Sequence, residues 1–200
     1  MPERARNVRG KDGIIPMDSW EKLHSGELYD PMDPCFAAEH ERCMELMYEY
    51  NHTRPQQQAR RDALLREMFA QVGEGCIVEA PFHANWGGHF LRLGDRVYIN
   101  YNLTMVDDTW ITIGSGTMIG PNVTIATACH PLEPELRRKN LQYNKSVVIG
   151  ENVWIGAGAI LLPGVTIGDN SVIGAGSVVT KDIPSGVAAV GNPCKVLKNL

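Results

Sequence analysis

Aliphatic residues return every six positions through much of this chain, and neither an α-helix nor a flat sheet has that period. From Leu93 the series runs through Ile99 and Met105, then Ile113, Ile119 and Ile125, with two residues inserted near Ile111. It resumes at Ile149 and continues through Ile155, Leu161, Ile167, Ile173 and Val179, often followed by Gly or Ala and, four places on, by Val, Ala or Ser. A period of six requires short extended segments joined by turns, each giving one aliphatic side chain to the interior. Three segments close a triangular coil, and stacked coils share one core. The small residue four places later fits a narrow interior, while Gly and Asn supply turn conformations that β-branched residues resist. This reading makes the chain a β-helix from Leu93 to about Pro184.

The signal lapses at 130–146, HPLEPELRRKNLQYNKS, a charged stretch with prolines at its start. Ile125 and Ile149 are 24 positions apart, still a multiple of six, so the stretch leaves the coil as a loop without shifting register. Long loops on rigid scaffolds often carry function. Ile125 points inward, which turns Cys129, four later, inward as well and His130 outward at the point of departure.

Upstream, to about Val72, apolar residues recur at three and four, the helical spacing. Asp18 and Glu21 form a capping box, with Gly26 as the stop. Asp33 caps a second helix, Pro34 opens it, and Cys43, Met44, Met47 and Tyr50 line one face until Asn51. A third follows Pro55, with Leu64, Leu65, Met68, Phe69 and Val72 as its stripe and Gly73 and Gly75 as breakers. The chain thus divides into a helical segment, 1–72, a coil, 73–185, carrying the loop 130–146, and a tail, 186–200.

A length of 200 residues suits one substantial domain with a small addition. A net charge of -4 supplies no global cationic field for nucleic acid or a membrane surface, so anion recognition must be local. The five cysteines form no CxxC pair, and their odd number fits a reducing cytoplasm better than a disulfide framework. Residues 1–11 are polar and basic without a following apolar stretch, which reads as a solvated tail rather than a signal peptide or membrane span.

The repeats IGPNVT, IGDNSV and IGAGSV, within the longer stretch NVWIGAGAILLPGVTIGDNSVIGAGSVVTKDIP, resemble the hexapeptide acyltransferases, and most of all the maltose and galactoside O-acetyltransferases. GELYDPMDP, MYEYNH, MFAQVGE and NLTMVDD extend the resemblance upstream, and GNPCKVLK extends it downstream. It implies a left-handed parallel β-helix, a homotrimer with active sites between neighbouring subunits, acetyl-CoA as cosubstrate without a metal, and a sugar hydroxyl as acceptor. The periodicity fixes neither the hand nor the oligomer. Parallel crossovers are usually right-handed, so the left hand comes from the resemblance alone.

By the same resemblance, His130 in the ATxxHP segment is the general base. Imidazole suits that task because its ordinary pKa of about 6.5 leaves a neutral fraction near pH 7. Cys129 beside it suggests a nucleophile, but its inward reading makes it a small core residue, and direct attack needs no covalent intermediate. Asn100 and Asp108, in INYNLTMVDD, match positions that hydrogen-bond the acceptor, although in a coil such residues are also ordinary turn formers. Asn85 matches another acceptor position, where related enzymes place serine or an acid. Either Asp30 or Asp33 completes the pocket from the helical segment. In the loop, Tyr143 keeps the family's aromatic residue, while Gln142 replaces an apolar one.

On the donor side, Ala157 and Ala175 match positions whose backbones bind the pantetheine arm, with Trp154 lining the groove. Thr180, Lys181, Lys195 and Lys198 match positions that meet the nucleotide and phosphates. The Ala157 amide is also placed to stabilise an oxyanion. Three alternatives stay open: an antibiotic or amine acceptor on the same fold, a zinc enzyme of the β-helix carbonic anhydrase type using His83, His89 and His130, and a β-helix that only binds a partner.

Overall fold

The computed structural model describes residues 17–200, so the basic tail falls outside the described residues. Gln71–Val72, Leu91–Leu93, Ile111–Ile113, Val147–Ile149 and Thr166–Ile167 form a first parallel sheet. Ile77–Val78, Tyr98–Ile99, Met118–Ile119, Trp154–Ile155, Val172–Ile173 and Val187–Val190 form a second, and His83–Ala84, Thr104–Val106, Thr124–Ala126, Ile160–Leu161 and Val178–Val179 a third. The chain visits the sheets in this order on every pass. Each strand therefore pairs with its counterparts one coil away, and the whole is a triangular β-helix.

The six-residue series becomes three interior columns. Leu93, Ile113, Ile149 and Ile167 pair along the first sheet, Ile99, Ile119, Ile155 and Ile173 along the second, and Met105, Ile125, Leu161 and Val179 along the third. None of these side chains is more than 2% exposed, so one continuous apolar core runs the length of the coil. The corners are as tight as the interior. A Cβ at Gly156 would lie 2.5 Å from the Ala175 amide nitrogen, which is why a residue without a side chain follows Ile155. Asn152 and Asn170 take φ of 52° and 58° and stack through a 2.9 Å side-chain hydrogen bond, the left-handed turn expected of asparagine.

The coil begins earlier than Leu93. Val72, Val78 and Ala84 pair with Leu93, Ile99 and Met105, so a complete coil precedes the one that the aliphatic series announces. Val72 consequently belongs to the first strand and not to the stripe of the third helix, which ends at Met68. Downstream, 186–200 is more than a tail: Val187–Val190 turns back into Lys195–Asn199, an antiparallel strand at the edge of the second sheet.

The helical expectations hold in their caps. Helix α1, Ser19–Ser25, has the reciprocal Asp18–Glu21 box and ends at Gly26 with φ 81°. Asp33 caps a 3-10 turn, Pro34–Phe36, which leads into α2, Ala37–Asn51, and α3 spans Gln58–Met68. The last two helices close the open end of the coil. Tyr50 Oη donates to the Val78 carbonyl at 2.5 Å, and Asn51 exchanges hydrogen bonds with both backbone groups of Phe82. Leu64, Leu65, Met68 and Phe69 join the interior core and keep water from its end.

Candidate active site

Every break in the six-residue count occurs at one corner, where the third sheet hands the chain to the first. Ala84 to Leu93, Met105 to Ile113 and Ile125 to Ile149 take nine, eight and 24 positions, whereas Leu161 to Ile167 keeps six. The three interruptions stack on one another in successive coils.

In the first of them, 85–90, Gly87 and Gly88 take φ of 60° and 87°, so the backbone cannot continue the sheet ladder. The amides of Trp86 and Gly88 donate instead to the Asp107 carboxylate, at 2.7 and 2.9 Å. Asp107 is fully buried, and burial pushes its carboxyl up to about 7 in spite of those amides. Asp108, next in sequence, faces the other way. Its carboxylate accepts from Asn85 Nδ2 at 3.0 and 3.1 Å and from the Trp86 indole at 3.3 Å.

The helical segment is fastened onto this corner. Tyr29 and Gln142 exchange backbone hydrogen bonds, and the Tyr29 hydroxyl accepts from Gln142 Nε2 at 2.6 Å and from Asn144 Nδ2 at 3.0 Å. Asn144 Nδ2 also meets the Leu23 and Asp108 carbonyls. Burial pushes the Tyr29 phenol upward, so it remains a hydroxyl. Trp20, Phe36, Trp86 and Phe90 pack edge-on or tilted around the same place.

What results is a cleft of about 410 Å³. Trp86, Phe36 and Tyr29 supply its aromatic walls, and Asn85, Asp108, Gln142, Asp33 and His40 its polar groups. An aromatic wall beside converging carboxylate and amide groups suits a small polyhydroxylated ligand.

The expected acceptor residues divide around this cleft. Asn85 and Asp108 line it together. From the helical segment it takes Asp33 rather than Asp30, which is exposed and turned back to the Met32 amide. From the loop it takes Gln142, while Tyr143 pairs with Cys129 across an antiparallel ribbon. Asn100 lies at another corner, between the second and third sheets, where its Oδ1 accepts from the Tyr101 amide. Sequence reasoning missed Tyr29, Trp86, His40 and Asp107. The signal available was the paired acid of VDD where the six-residue count slips.

His130 is exposed at the root of the loop, and its Nδ1 lies 2.9 Å from the Leu141 carbonyl. A carbonyl only accepts, so in the neutral ring Nδ1 carries the proton and the lone pair falls to Nε2. His130 does not line the cleft of its own chain. Cys129 is half-buried in the ribbon and not inside the coil, because the chain has already left the coil at Ala128; the four-residue rule holds only where the coil continues.

Ala157 and Ala175 are exposed one coil apart at the corner between the second and third sheets. Trp154 stands 53% exposed on the outer face of the second sheet, and Lys195 and Lys198 lie on that sheet's edge strand. Thr180 and Lys181 are exposed at a different corner, just after Val178–Val179. Among the described residues, His83, His89 and His130 do not converge as metal ligands. His89 groups with Glu39 and Cys43, where Arg42 already forks onto the Glu39 carboxylate at 2.8 Å.

A family model described as the maltose acetyltransferase hexapeptide capping motif matches residues 22–73, and one for bacterial transferase hexapeptide repeats matches residues 146–181. Galactoside O-acetyltransferase of Lactococcus lactis is 50% identical over 184 residues, covering 92% of this chain and 89% of the relative. The chain belongs to the maltose and galactoside O-acetyltransferase family of hexapeptide-repeat proteins. A solved galactoside acetyltransferase in complex with coenzyme A is 45% identical, with a TM-score of 0.88 and 92% of each chain covered. A hexapeptide-repeat acetyltransferase of Vibrio cholerae, complexed with acetyl coenzyme A, is 36% identical with a TM-score of 0.85, covering 92% of this chain and 99% of that one. For a member of this acetyltransferase family the helices have a plain role: the matched capping motif covers the segment that closes the coil and walls the cleft.

Proposed function

We propose that this acetyl-CoA-dependent O-acetyltransferase acetylates a hydroxyl of a small sugar of the maltose, glucose or galactoside type, with His130 as general base. The observation that carries the reading is the Nδ1 hydrogen bond to Leu141, which commits Nε2 to accepting a proton. The acceptor oxygen attacks the thioester carbonyl and gives its proton to Nε2. The C–S bond then breaks and the proton passes to the departing thiolate, leaving CoA as the thiol. The Ala157 amide stabilises the oxyanion.

The site is completed between subunits of a homotrimer. One subunit contributes the cleft with Asp33, Asn85, Asp108 and Gln142. Its neighbour contributes His130 and Asn100, both of which lie away from that cleft, with Tyr143 at the loop contact. A ladder of outward apolar residues along the second sheet, Ile77, Tyr98, Met118, Trp154 and Val172, supports the assembly, since it offers a continuous unpartnered face. Between subunits the same face suits the pantetheine arm, held by Trp154, Ala157 and Ala175. Thr180, Lys181, Lys195 and Lys198 meet the nucleotide and phosphates. Residues 1–72 then act as an acceptor-side cap, 73–185 as the transferase coil, and 186–200 as a contributor to CoA binding. A cytoplasmic setting fits five free thiols, and no described helix is long and apolar enough to cross a membrane.

The test is thiol release from acetyl-CoA with maltose, glucose, methyl β-galactoside and simple amines, in unmodified protein and in His130→Ala. Sugar-dependent release that disappears in the variant supports the reading. Release with amines alone overturns the acceptor class, and undiminished release in the folded variant overturns the role of His130.

A further inference from the structure

The cleft described above depends on a residue that does not touch it. We propose that Asp107 is a positioning residue for the acceptor: its two carboxylate oxygens hold the interruption 85–90 in the one backbone shape that brings Asn85 and Trp86 onto Asp108. This inference rests on the reading of the cleft as the acceptor site.

Asp107 Oδ1 takes the Trp86 amide and Oδ2 takes the Gly88 amide, so the two oxygens grip the segment on either side of Gly87. Neither amide joins the sheet ladder, and a buried amide without an acceptor is costly. The segment cannot settle elsewhere at little cost. A Cβ at Gly87 would stand 2.5 Å from the Cys43 carbonyl oxygen, and one at Gly88 would stand 2.2 Å from Phe69 Cε1, so α2 and Phe69 already press on it from outside. Once it is gripped, its first two side chains donate to the Asp108 carboxylate, Asn85 Nδ2 to both oxygens and the Trp86 indole to Oδ1. Asp107 is absent from the cleft lining, whereas Asn85, Trp86 and Asp108 all belong to it. The VDD pair is therefore divided in labour, with one carboxylate as strut and the next as the presented group.

Both oxygens act as acceptors only in the ionised form; protonation turns one of them into a donor facing an amide N–H. The titratable groups facing Asp107 are Asp108 on its own turn, whose charge disfavours ionisation, and the Cys43 thiol of α2, which burial pushes upward and keeps neutral. His89, on the interruption itself, is turned towards Glu39 at 3.7 Å. Grip and cleft should thus loosen together as the pH falls below neutrality.

The experiment is a steady-state comparison of Asp107→Asn and Asp108→Asn with unmodified protein, using whichever of maltose and methyl β-galactoside supports thiol release. Asparagine keeps the size of Asp107 but meets two amides with one acceptor. We expect acceptor KM to rise about tenfold in Asp107→Asn, with acetyl-CoA KM and saturated kcat within about threefold of unmodified protein. In unmodified protein, acceptor KM should also rise between pH 8 and 6, and by more than in Asp107→Asn, which keeps His40 and His130; equal rises in the two proteins overturn the inference. A raised acceptor KM in Asp108→Asn together with an unchanged one in Asp107→Asn overturns the inference and leaves the acceptor cleft standing. Unchanged values in both variants overturn the cleft, and the inference with it. Should Asp107→Asn yield no folded protein, binding of the same sugar to a His40→Gln, His130→Gln double variant loaded with CoA decides the matter by calorimetry. Weaker binding at pH 6 than at pH 8 supports the strut, and pH-independent binding overturns it.

Discussion

The first three coils and the last two are built on the same three aliphatic columns, yet the cleft among the described residues sits on the first three. In the later coils every corner is a short turn, and the backbone spends its hydrogen bonds on the coils above and below. At one corner of the earlier coils extra residues interrupt that ladder. Freed amides such as those of Trp86 and Gly88 must then find side-chain acceptors. The comparison teaches that regular coil gives rigidity and offers ligands little beyond its surface. Stacked irregularities on a rigid wall are where carboxylates, amides and aromatic rings can be gathered.

The hardest test of that division is His130→Ala. If chemistry resides at the interrupted corner, kcat should fall by about 10² to 10⁴-fold, while thermal unfolding stays that of the unmodified protein, because the side chain is exposed and holds only the Leu141 carbonyl. The complementary change is Ile155→Ala in the interior column. Removing that fully buried side chain should cost about 2 to 5 kcal/mol in denaturant unfolding and leave turnover per folded molecule intact. A core variant that loses turnover without losing stability would break the comparison.

The regular half was legible in the sequence for a physical reason. A large aliphatic residue stands at every sixth position from Ile149 to Val179, and nothing interrupts the count. Capping chemistry made α1 and the Asp33 turn legible as well, since a cap is local. The first coil was hidden because Ala84 is small, Val72 is only half-buried, and the count slips immediately afterwards. The C-terminal hairpin was hidden because its strands obey no six-residue rule. His130, Asn85 and Asp108 were singled out through resemblance, and of these Asn85 and Asp108 line the cleft. Tyr29 and Gln142 were not assembled into a site because they stand 113 positions apart, and only the docking of the helical segment on the loop brings their side chains to 2.6 Å. The hand of the coil likewise left no mark on the period and came through the resemblance.

Acidity sharpens the comparison further. The folded carboxyl of Asp107 titrates near 7, above its ordinary value of 3.8, so the folded protein binds the extra proton between those limits. Its contribution to stability is complete below the lower value and is lost as pH rises through the higher one, with a slope of at most about 1.4 kcal/mol per pH unit. Unfolding curves across pH 4 to 8 should therefore show a fall that Asp107→Asn lacks. Acceptor affinity should move the opposite way, because the grip on 85–90 needs the ionised form. A corner that is most stable when least functional is what an irregularity held by a buried charge predicts, and identical pH–stability curves for the two proteins would count against it.

The smallest effect belongs to the regular end. Lys195 and Lys198 lie exposed on the antiparallel edge strand, beyond the last complete coil, where water screens each charge. If they meet the phosphates of CoA only as surface cations, each is worth no more than about 1 kcal/mol. Lys195→Ala should then raise acetyl-CoA KM by roughly two- to fivefold, leave acceptor KM alone, and differ little from unmodified protein once the ionic strength is high. A larger, salt-insensitive loss would mean that the lysine is buried on assembly and that the regular end of the coil, too, contributes a shaped site.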